Sequence, residues 1–172
     1  TISVLVENKF GVLSRIAGLF SGRGFNIESL TVSPVLDQKL SKMTIVTSGD
    51  DAVLEQIDKQ LNKLVNVLKV TDLTGSGFTS RELMLLKVKS TSNKRNDVMA
   101  IVNIFEASVC HVDHEAMIIE VTGESEKLDS FAELMSPFGI IEMARTGKVA
   151  LARSPKPTED LEMIAGALNG EG

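Results

Sequence analysis

Residues 1–30, which read TISVLVENKFGVLSRIAGLFSGRGFNIESL, decide the fold. Residues 1–7 are apolar and β-branched, at a length that suits a strand. After a turn at residues 8–11, apolar residues recur at helical spacing, at positions 12, 13, 16, 17, 19 and 20. Gly22 and Gly24 predict the end of that helix, and a second extended segment follows at residues 25–35. The opening stretch therefore predicts a strand, a helix and a strand in succession.

The rest of the first half completes a six-element pattern, which the second half repeats. Residues 43–47 predict a third strand. A second helix is predicted by the helical spacing of four leucine and isoleucine residues, Leu54, Ile57, Leu61 and Leu64. Residues 65–73 predict a fourth strand. The second half predicts a strand at 81–89, a helix at 96–107, a hairpin at 108–121, a helix at 125–135 and extended segments at 140–144 and 149–152. Each half therefore has the order βαββαβ.

The two halves align with each other as an internal repeat. An offset of 74 residues places Leu54 on Leu128 and holds without a gap through the following strand. In the preceding helices Phe20 matches Phe105, an offset of 85, so the first half carries 11 extra residues, which we assign to the region 33–42. An enlarged hairpin there is either a candidate partner-contact loop or an insertion tolerated at small entropic cost.

A repeated βαββαβ order predicts an α+β protein of two tandem ferredoxin-like domains. Residues 1–74 form the first domain, the Gly/Ser-rich residues 75–80 a linker, residues 81–153 the second domain and residues 154–172 a tail that has no counterpart in either repeat. In each domain both helices cover one sheet face and leave the other face and the edge strands open. Because small sheets with open edges often pair, we expect a homodimer.

Composition excludes several function classes. The net charge is −5 with a pI near 5.1, and the chain lacks Trp and Tyr, so neither charge nor base-stacking side chains favour nucleic-acid binding. One cysteine makes no internal disulfide and no thiolate metal cage. No apolar run approaches the 18 or so residues that a membrane span requires.

Catalytic motifs are scarce. The sequence has no P-loop, HExxH, nucleophile elbow or GxGxxG pattern. The cluster from Cys110 to Glu115 contains both histidines and the only thiol, which raises the possibility of a metal site. In a strand, however, Cys110 and His111 point to opposite faces, so we favour a buried cysteine beside a solvated hairpin tip.

The turn between the first strand and the first helix is the candidate ligand site. A helix N-terminus offers free N–H groups and positive partial charge, and Gly11 lets a carboxylate approach the backbone closely. Asn8 caps the helix or binds an ammonium group through its side-chain oxygen, and Asn26, at the start of the second strand, is expected near the same region. A small zwitterion with an apolar side chain suits this mixture, with Leu13 or Ile27 as apolar contacts. Capping Asn and turn Gly are common, so the spacing alone favours a plain turn.

Several longer runs carry a family resemblance. Residues 2–8 (ISVLVEN), 11–16 (GVLSRI) and 23–30 (RGFNIESL), with 81–85 (RELML) and 144–151 (ARTGKVAL), resemble the small regulatory subunits of acetohydroxyacid (acetolactate) synthase. The resemblance covers roughly residues 1–153. It implies an ACT domain followed by a second ferredoxin-like domain, and a chain that has no catalytic residues, metal or cofactor of its own.

The resemblance also implies a partner and an effector. The partner is a catalytic large subunit that carries thiamine diphosphate, Mg²⁺ and FAD and condenses 2-oxoacids in branched-chain amino-acid synthesis. The small subunit raises its activity and confers feedback inhibition by a branched-chain amino acid, usually valine. The effector lies between two ACT domains of a homodimer, and the matching positions of this sequence are Asn8, Gly11, Val12, Leu13, Asn26 and Ile27, the last two contributed by the neighbouring subunit.

Two other functions stay open. One alternative is a free-standing amino-acid-sensing ACT protein that acts on another partner, or a domain of an enzyme whose catalytic part is absent. The other alternative, which rests on Cys110 and His111 alone, is a small metalloenzyme. The family resemblance implies a cytoplasmic location in a bacterium and the plastid stroma in a plant or alga.

Overall fold

A computed structural model of the chain describes residues 1–75, 77–154 and 156. The chain divides into two compact units, residues 1–79 with the described residues from Lys148 onward, and residues 80–147. Ser76 of the predicted linker lies outside the described residues, and so does the predicted tail apart from Ser154 and Lys156. In the described part of the chain, no helix has both the length and the apolar character needed to cross a membrane.

The first unit has the predicted βαββαβ order. Its elements are β1 (Ile2–Glu7), α1 (Val12–Arg23), β2 (Ser29–Pro34), β3 (Leu40–Val46), α2 (Asp51–Leu61) and β4 (Val67–Asp72). The four strands form an antiparallel sheet in the order β2-β3-β1-β4. β2 is shorter than the predicted segment 25–35, because regular pairing with β3 begins only at Ser29.

One end of this sheet is formed where β1 finishes. Glu7, the last residue of β1, lies opposite Leu40, the first residue of β3. Three loops leave the sheet here: residues 8–11, 35–39 and 62–66. We call this the Gly11 end.

The opposite end is formed where β2 begins. Ser29, the first residue of β2, lies opposite Val46, the last residue of β3. Residues 24–28 and 47–50 form the loops at this end, which we call the Asn26 end. The seven residues of β3 separate the two ends by roughly 20 Å at a strand's rise per residue.

The core of the first unit lies between the sheet and its helices. Alternation along β1 directs Ile2, Val4 and Val6 to the same face, where they join buried residues of both helices and β3, namely Val12, Ile16, Phe20, Met43, Ile45, Ile57 and Leu61. The rings of Phe20 and Phe25 meet edge to face with centroids 6.0 Å apart.

The second unit repeats the pattern, as predicted. Its elements are β5 (Phe78–Lys89), α3 (Arg95–Ile104), β6 (Ser108–Val112), β7 (Ala116–Gly123), α4 (Ser125–Met135), a short 3₁₀ turn (Ser136–Phe138) and β8 (Ile140–Arg145). The strand order is β6-β7-β5-β8, and β9 (Val149–Ala152) belongs to the first unit in the division given above. The predicted α+β architecture of two ferredoxin-like repeats is confirmed.

Matching positions of the internal repeat have similar structures in the two units. α2 and α4 are both 11 residues long and start 74 residues apart. Ile57 and its counterpart Phe131 are both fully buried. The 11 extra residues of the first half are not all in the β2–β3 hairpin, however, because its loop of residues 35–39 is only two residues longer than the loop 113–115 between β6 and β7. α1 and the loops around β2 and β3 contain the rest, so that assignment was wrong.

Candidate functional site

Gly11 lies where the turn 8–11 meets α1. Its φ of +82° is in the left-handed region, which glycine adopts without the steric cost that a Cβ brings. An added Cβ would nevertheless meet nothing within 4 Å. The backbone conformation, and not crowding, therefore requires glycine, and the space in front of the turn is open to a ligand.

The backbone at the start of α1 presents unpaired donors. No side chain caps the helix. The amide of Arg15 donates to the carbonyl oxygen of Gly11 at 3.0 Å. The amides of Gly11, Leu13 and Ser14, by contrast, find no acceptor among the described residues. These N–H groups carry the positive partial charge of a helix N-terminus, so the turn can accept a small anion.

Asn8 does not cap α1, so the capping alternative was wrong. Its Nδ2 donates to the carbonyl oxygen of Gln38 at 2.9 Å, and its backbone amide donates to the carbonyl oxygen of Lys39 at 2.6 Å. Both bonds hold the turn 8–11 against the loop 35–39. No donor among the described residues bonds to Oδ1 of Asn8, the other end of the same amide group.

The two apolar residues that follow Gly11 in the predicted site differ in exposure. Val12 is buried in the core of the first unit, whereas Leu13 is 42% exposed. Only Leu13 can therefore offer its side chain to a ligand, while Val12 fixes the start of α1 against the sheet.

A polar network that the sequence did not reveal supports the turn. Asn66 donates from Nδ2 to the carboxylate of Glu7, and its Oδ1 accepts from Nη1 of Arg15 at 2.7 Å. Lys9 forms an ion pair with Glu7 at 2.9 Å. The hydrogen bonds from Lys9 and Asn66 lower the pKa of Glu7. Glu7 and Asn66 are 59 residues apart, so only the tertiary fold shows this pairing.

Asn26 and Ile27 lie at the other end of the same sheet. Asn26 is exposed and Ile27 is half-buried, and the carbonyl oxygen of Asn26 accepts from Oγ1 of Thr47 at 2.6 Å. The length of β3 separates them from Gly11 by roughly 20 Å. The expectation that Asn26 approaches the turn within one chain is therefore wrong, and Asn8, Gly11 and Leu13 are the predicted residues that one chain brings together.

The equivalent turn of the second unit is built differently. Nη2 of Arg95 donates to the carbonyl oxygens of Ser90 at 3.0 Å and Asp113 at 2.6 Å. This turn, residues 90–94, contains no glycine, and its own chain fills it with a guanidinium group. It therefore lacks the open cradle of the first unit.

The cluster around Cys110 is also different from the prediction. Cys110 is exposed, not buried, because its neighbour Val109 is the residue of β6 that packs against the core of the second unit. The carboxylate of Asp113 accepts from the amides of Glu115 and Ala116, which lowers its pKa. Among the described residues, no three His, Cys, Asp or Glu side chains are grouped so as to hold a metal ion.

Both halves of the chain match known families. Residues 2–69 match the AHAS small subunit-like ACT domain, and residues 81–154 match the family described as the small subunit of acetolactate synthase. The two matches correspond to the two βαββαβ repeats.

Individual relatives match over almost the whole chain. The probable acetolactate synthase small subunit of Archaeoglobus fulgidus is 53% identical over 91% of this chain and 98% of its own. The acetolactate synthase small subunit of Mycobacterium bovis is 49% identical over 91% of this chain and 93% of its own. The crystal structure of the small subunit from Thermotoga maritima is 40% identical, with a TM-score of 0.83 over 90% of this chain and 97% of that one. With both repeats matched and relatives this similar along nearly their full length, the chain belongs to the family of acetolactate synthase small subunits, regulatory subunits that begin with an ACT domain.

Proposed function

We propose that this chain is the non-catalytic regulatory subunit that activates the catalytic large subunit of acetolactate synthase and confers feedback inhibition by a branched-chain amino acid, with valine as the preferred effector. Residues 1–74 serve as the effector-binding domain and residues 81–153 as the C-terminal domain. The observation that carries the proposal is the open left-handed turn at Gly11, where three amides have no acceptor among the described residues of a chain of this family.

The chemistry of the turn suits an amino acid. The effector carboxylate accepts from the amides of Gly11, Leu13 and Ser14 at the positive end of α1. The ammonium group donates to Oδ1 of Asn8, which the bond to Gln38 orients. The exposed side chain of Leu13 contacts the branched aliphatic group.

Completion of the site requires a second chain, since Asn26 and Ile27 lie at the far end of the sheet. β2 is an edge strand with one unpaired side. If β2 pairs with its copy in antiparallel orientation about a twofold axis, the first residue of one β2 comes beside the last residue of the other. This pairing carries the partner's loop 24–28, with its copies of these two residues, to the Gly11 end. A homodimer through the ACT domains therefore unites the six predicted effector residues.

The large subunit supplies the reaction chemistry in this proposal. It carries thiamine diphosphate, Mg²⁺ and FAD, and this chain holds none of these groups. The effector then acts by differential binding to two states of the assembly. A coupling free energy of about 1–3 kcal/mol gives a change of roughly 5- to 150-fold.

A reconstitution assay tests the proposal. The large subunit's rate of 2-oxoacid condensation is measured alone and with this chain, while valine, leucine and isoleucine are titrated separately. Stimulation by the chain, followed by inhibition with valine at the lowest concentration, is the expected result. Amino-acid binding without any effect on the large subunit would overturn the proposal in favour of a free-standing sensor. No stimulation and no amino-acid binding would overturn both functions.

A further inference from the structure

The Gly11 end carries an unusual set of exposed apolar side chains. Phe10, Leu36 and Val65 are 104%, 96% and 90% exposed. Among the described residues these are the three most exposed large hydrophobic side chains, and each lies on a different one of the three loops at this end. We call Phe10, Leu36 and Val65 the loop tips.

The loops that present the tips are fastened to one another. Asn8 bonds the turn 8–11 to the backbone of Gln38 and Lys39 in the loop 35–39. On the other side, the amide of Glu7 donates to the carbonyl oxygen of Asn66 at 2.9 Å, which holds the loop 62–66 against β1. The loop backbones that carry the tips are therefore held in place, so little loop ordering opposes the burial of the tips against a partner.

Full exposure of three large apolar side chains at one end of a unit is costly in water. Scattered single hydrophobic residues on a surface are ordinary, whereas a cluster marks an interaction surface. Phe10 also directly precedes Gly11 in the turn proposed to bind the effector. A partner that covers the tips would therefore touch the same turn whose amides meet the effector.

The position of the tips argues against a second copy of this chain as the occupant. Pairing through β2 leaves Val65 uncovered, because the loop 62–66 precedes β4, which lies three strands from β2 and so about 14 Å away. The three loops also contain three lysines, of which Lys9 is paired with Glu7, and one aspartate, so this end keeps a net positive charge in a chain of net charge −5. Two copies that met tip to tip would bring like charges together, which opposes association.

We propose that the loop tips dock the catalytic large subunit, on an apolar surface with a carboxylate rim that complements Lys63 and the net positive charge of these loops. The inference rests on the proposed function and adds the surface through which the subunit acts. Because the turn 8–11 then contacts the partner on its outer side and the effector at its amides, a shift of this turn couples the two binding events.

Substitution of the tips tests the inference. The variants Phe10→Ser, Leu36→Ser and Val65→Ser remove apolar surface that the core does not use, and Ile104→Ser, at a residue 76% exposed on α3 of the second unit, is the matched control. Association with the cognate large subunit is measured by biolayer interferometry, valine binding by calorimetry and oligomeric state by light scattering. Each tip variant should bind the large subunit roughly tenfold or more weakly, while the control stays near the parent.

The outcomes separate the inference from the proposed function. If the parent binds the large subunit and valine, and the tip variants bind the large subunit as tightly as the parent, the docking surface is wrong and the proposed function stands. If the tip variants lose dimerisation instead, the occupant is a second copy and the inference is overturned. If the parent binds neither the large subunit nor valine, the proposed function fails and the inference fails with it.

The variant Lys63→Glu should slow association with the large subunit at low salt, and an unchanged rate would contradict the charged rim.

Discussion

Replacement of Gly11 by aspartate separates ligand chemistry from backbone strain at the proposed effector turn. A Cβ at this position enters open space, with nothing within 4 Å, so the new side chain occupies the volume that we assign to the effector. The backbone has φ +82°, a conformation that costs an L-residue about 1–2 kcal/mol. Alanine brings the strain without the charge, and is therefore the matched control.

The expected loss of affinity follows from the contacts at the turn. Each hydrogen bond from an amide to a carboxylate contributes about 1.5–3 kcal/mol. The aspartate also places a like charge beside the effector carboxylate, which costs about 1 kcal/mol at 4 Å in water and about 4 kcal/mol near a protein surface. One lost hydrogen bond with the smaller repulsion gives about 2.5 kcal/mol, or a decrease in affinity of nearly a hundredfold.

Calorimetry and thermal melts decide the result. Gly11→Asp and Gly11→Ala should lower Tm to a similar extent, by roughly 4–8 °C for each kcal/mol of strain in a unit of this size. Valine should bind Gly11→Ala within about tenfold of the parent and Gly11→Asp nearly a hundredfold more weakly. If folded Gly11→Asp binds valine as well as Gly11→Ala does, the effector carboxylate does not meet these amides, and the assignment of the turn is refuted.

Two further predictions concern the stability of the two units. The carboxylate of Glu82 is 8% exposed and accepts a hydrogen bond from Arg145 at 2.7 Å. Because Arg145→Ala leaves this buried charge without its partner, the substitution should destabilise the second unit by about 3 kcal/mol in urea unfolding. Lys59→Ala, at an exposed pair with Glu55, should leave the urea midpoint close to that of the parent, and equal losses from the two variants would contradict this reasoning. Because the pKa of Glu7 is lowered in the fold, its ionised form stabilises the protein at neutral pH, and that stability is lost as pH falls below about 4.5. The difference in unfolding free energy between the parent and Glu7→Gln should therefore decrease from pH 7 to pH 3. A constant difference would contradict the claim that ionised Glu7 stabilises the fold.

The order of elements was predictable because local patterns determine it. Apolar residues at helical spacing identify α1 and α2, and the offset of 74 residues relates α2 to α4 through the sequence alone. The turn at Gly11 is also visible in the sequence, since a glycine between a strand and a helix is a local feature. Family resemblance then supplies a function that spacing alone does not.

The errors came from features that depend on register and tertiary contacts. Cys110 was expected to be buried, whereas Val109 is the residue that packs against the core and Cys110 faces solvent. Asn8 was expected as a possible cap, but its acceptor belongs to Gln38, 30 residues along the chain. No local pattern encodes such a partner, and the same holds for Asn66 and Glu7.

The register of the first sheet has a consequence for regulation. Gly11 and Asn26 lie at opposite ends of β3, so one chain offers an effector only part of the proposed site. An effector that contacts both sets of residues binds the dimer and not the monomer, and by mass action it stabilises the dimer while the dimer strengthens effector binding. Effector affinity then depends on the concentration of the chain itself. Because Phe10 directly precedes Gly11 in the turn 8–11, closure of two ACT domains around an amino acid would, in our proposal, move one of the loop tips that dock the large subunit.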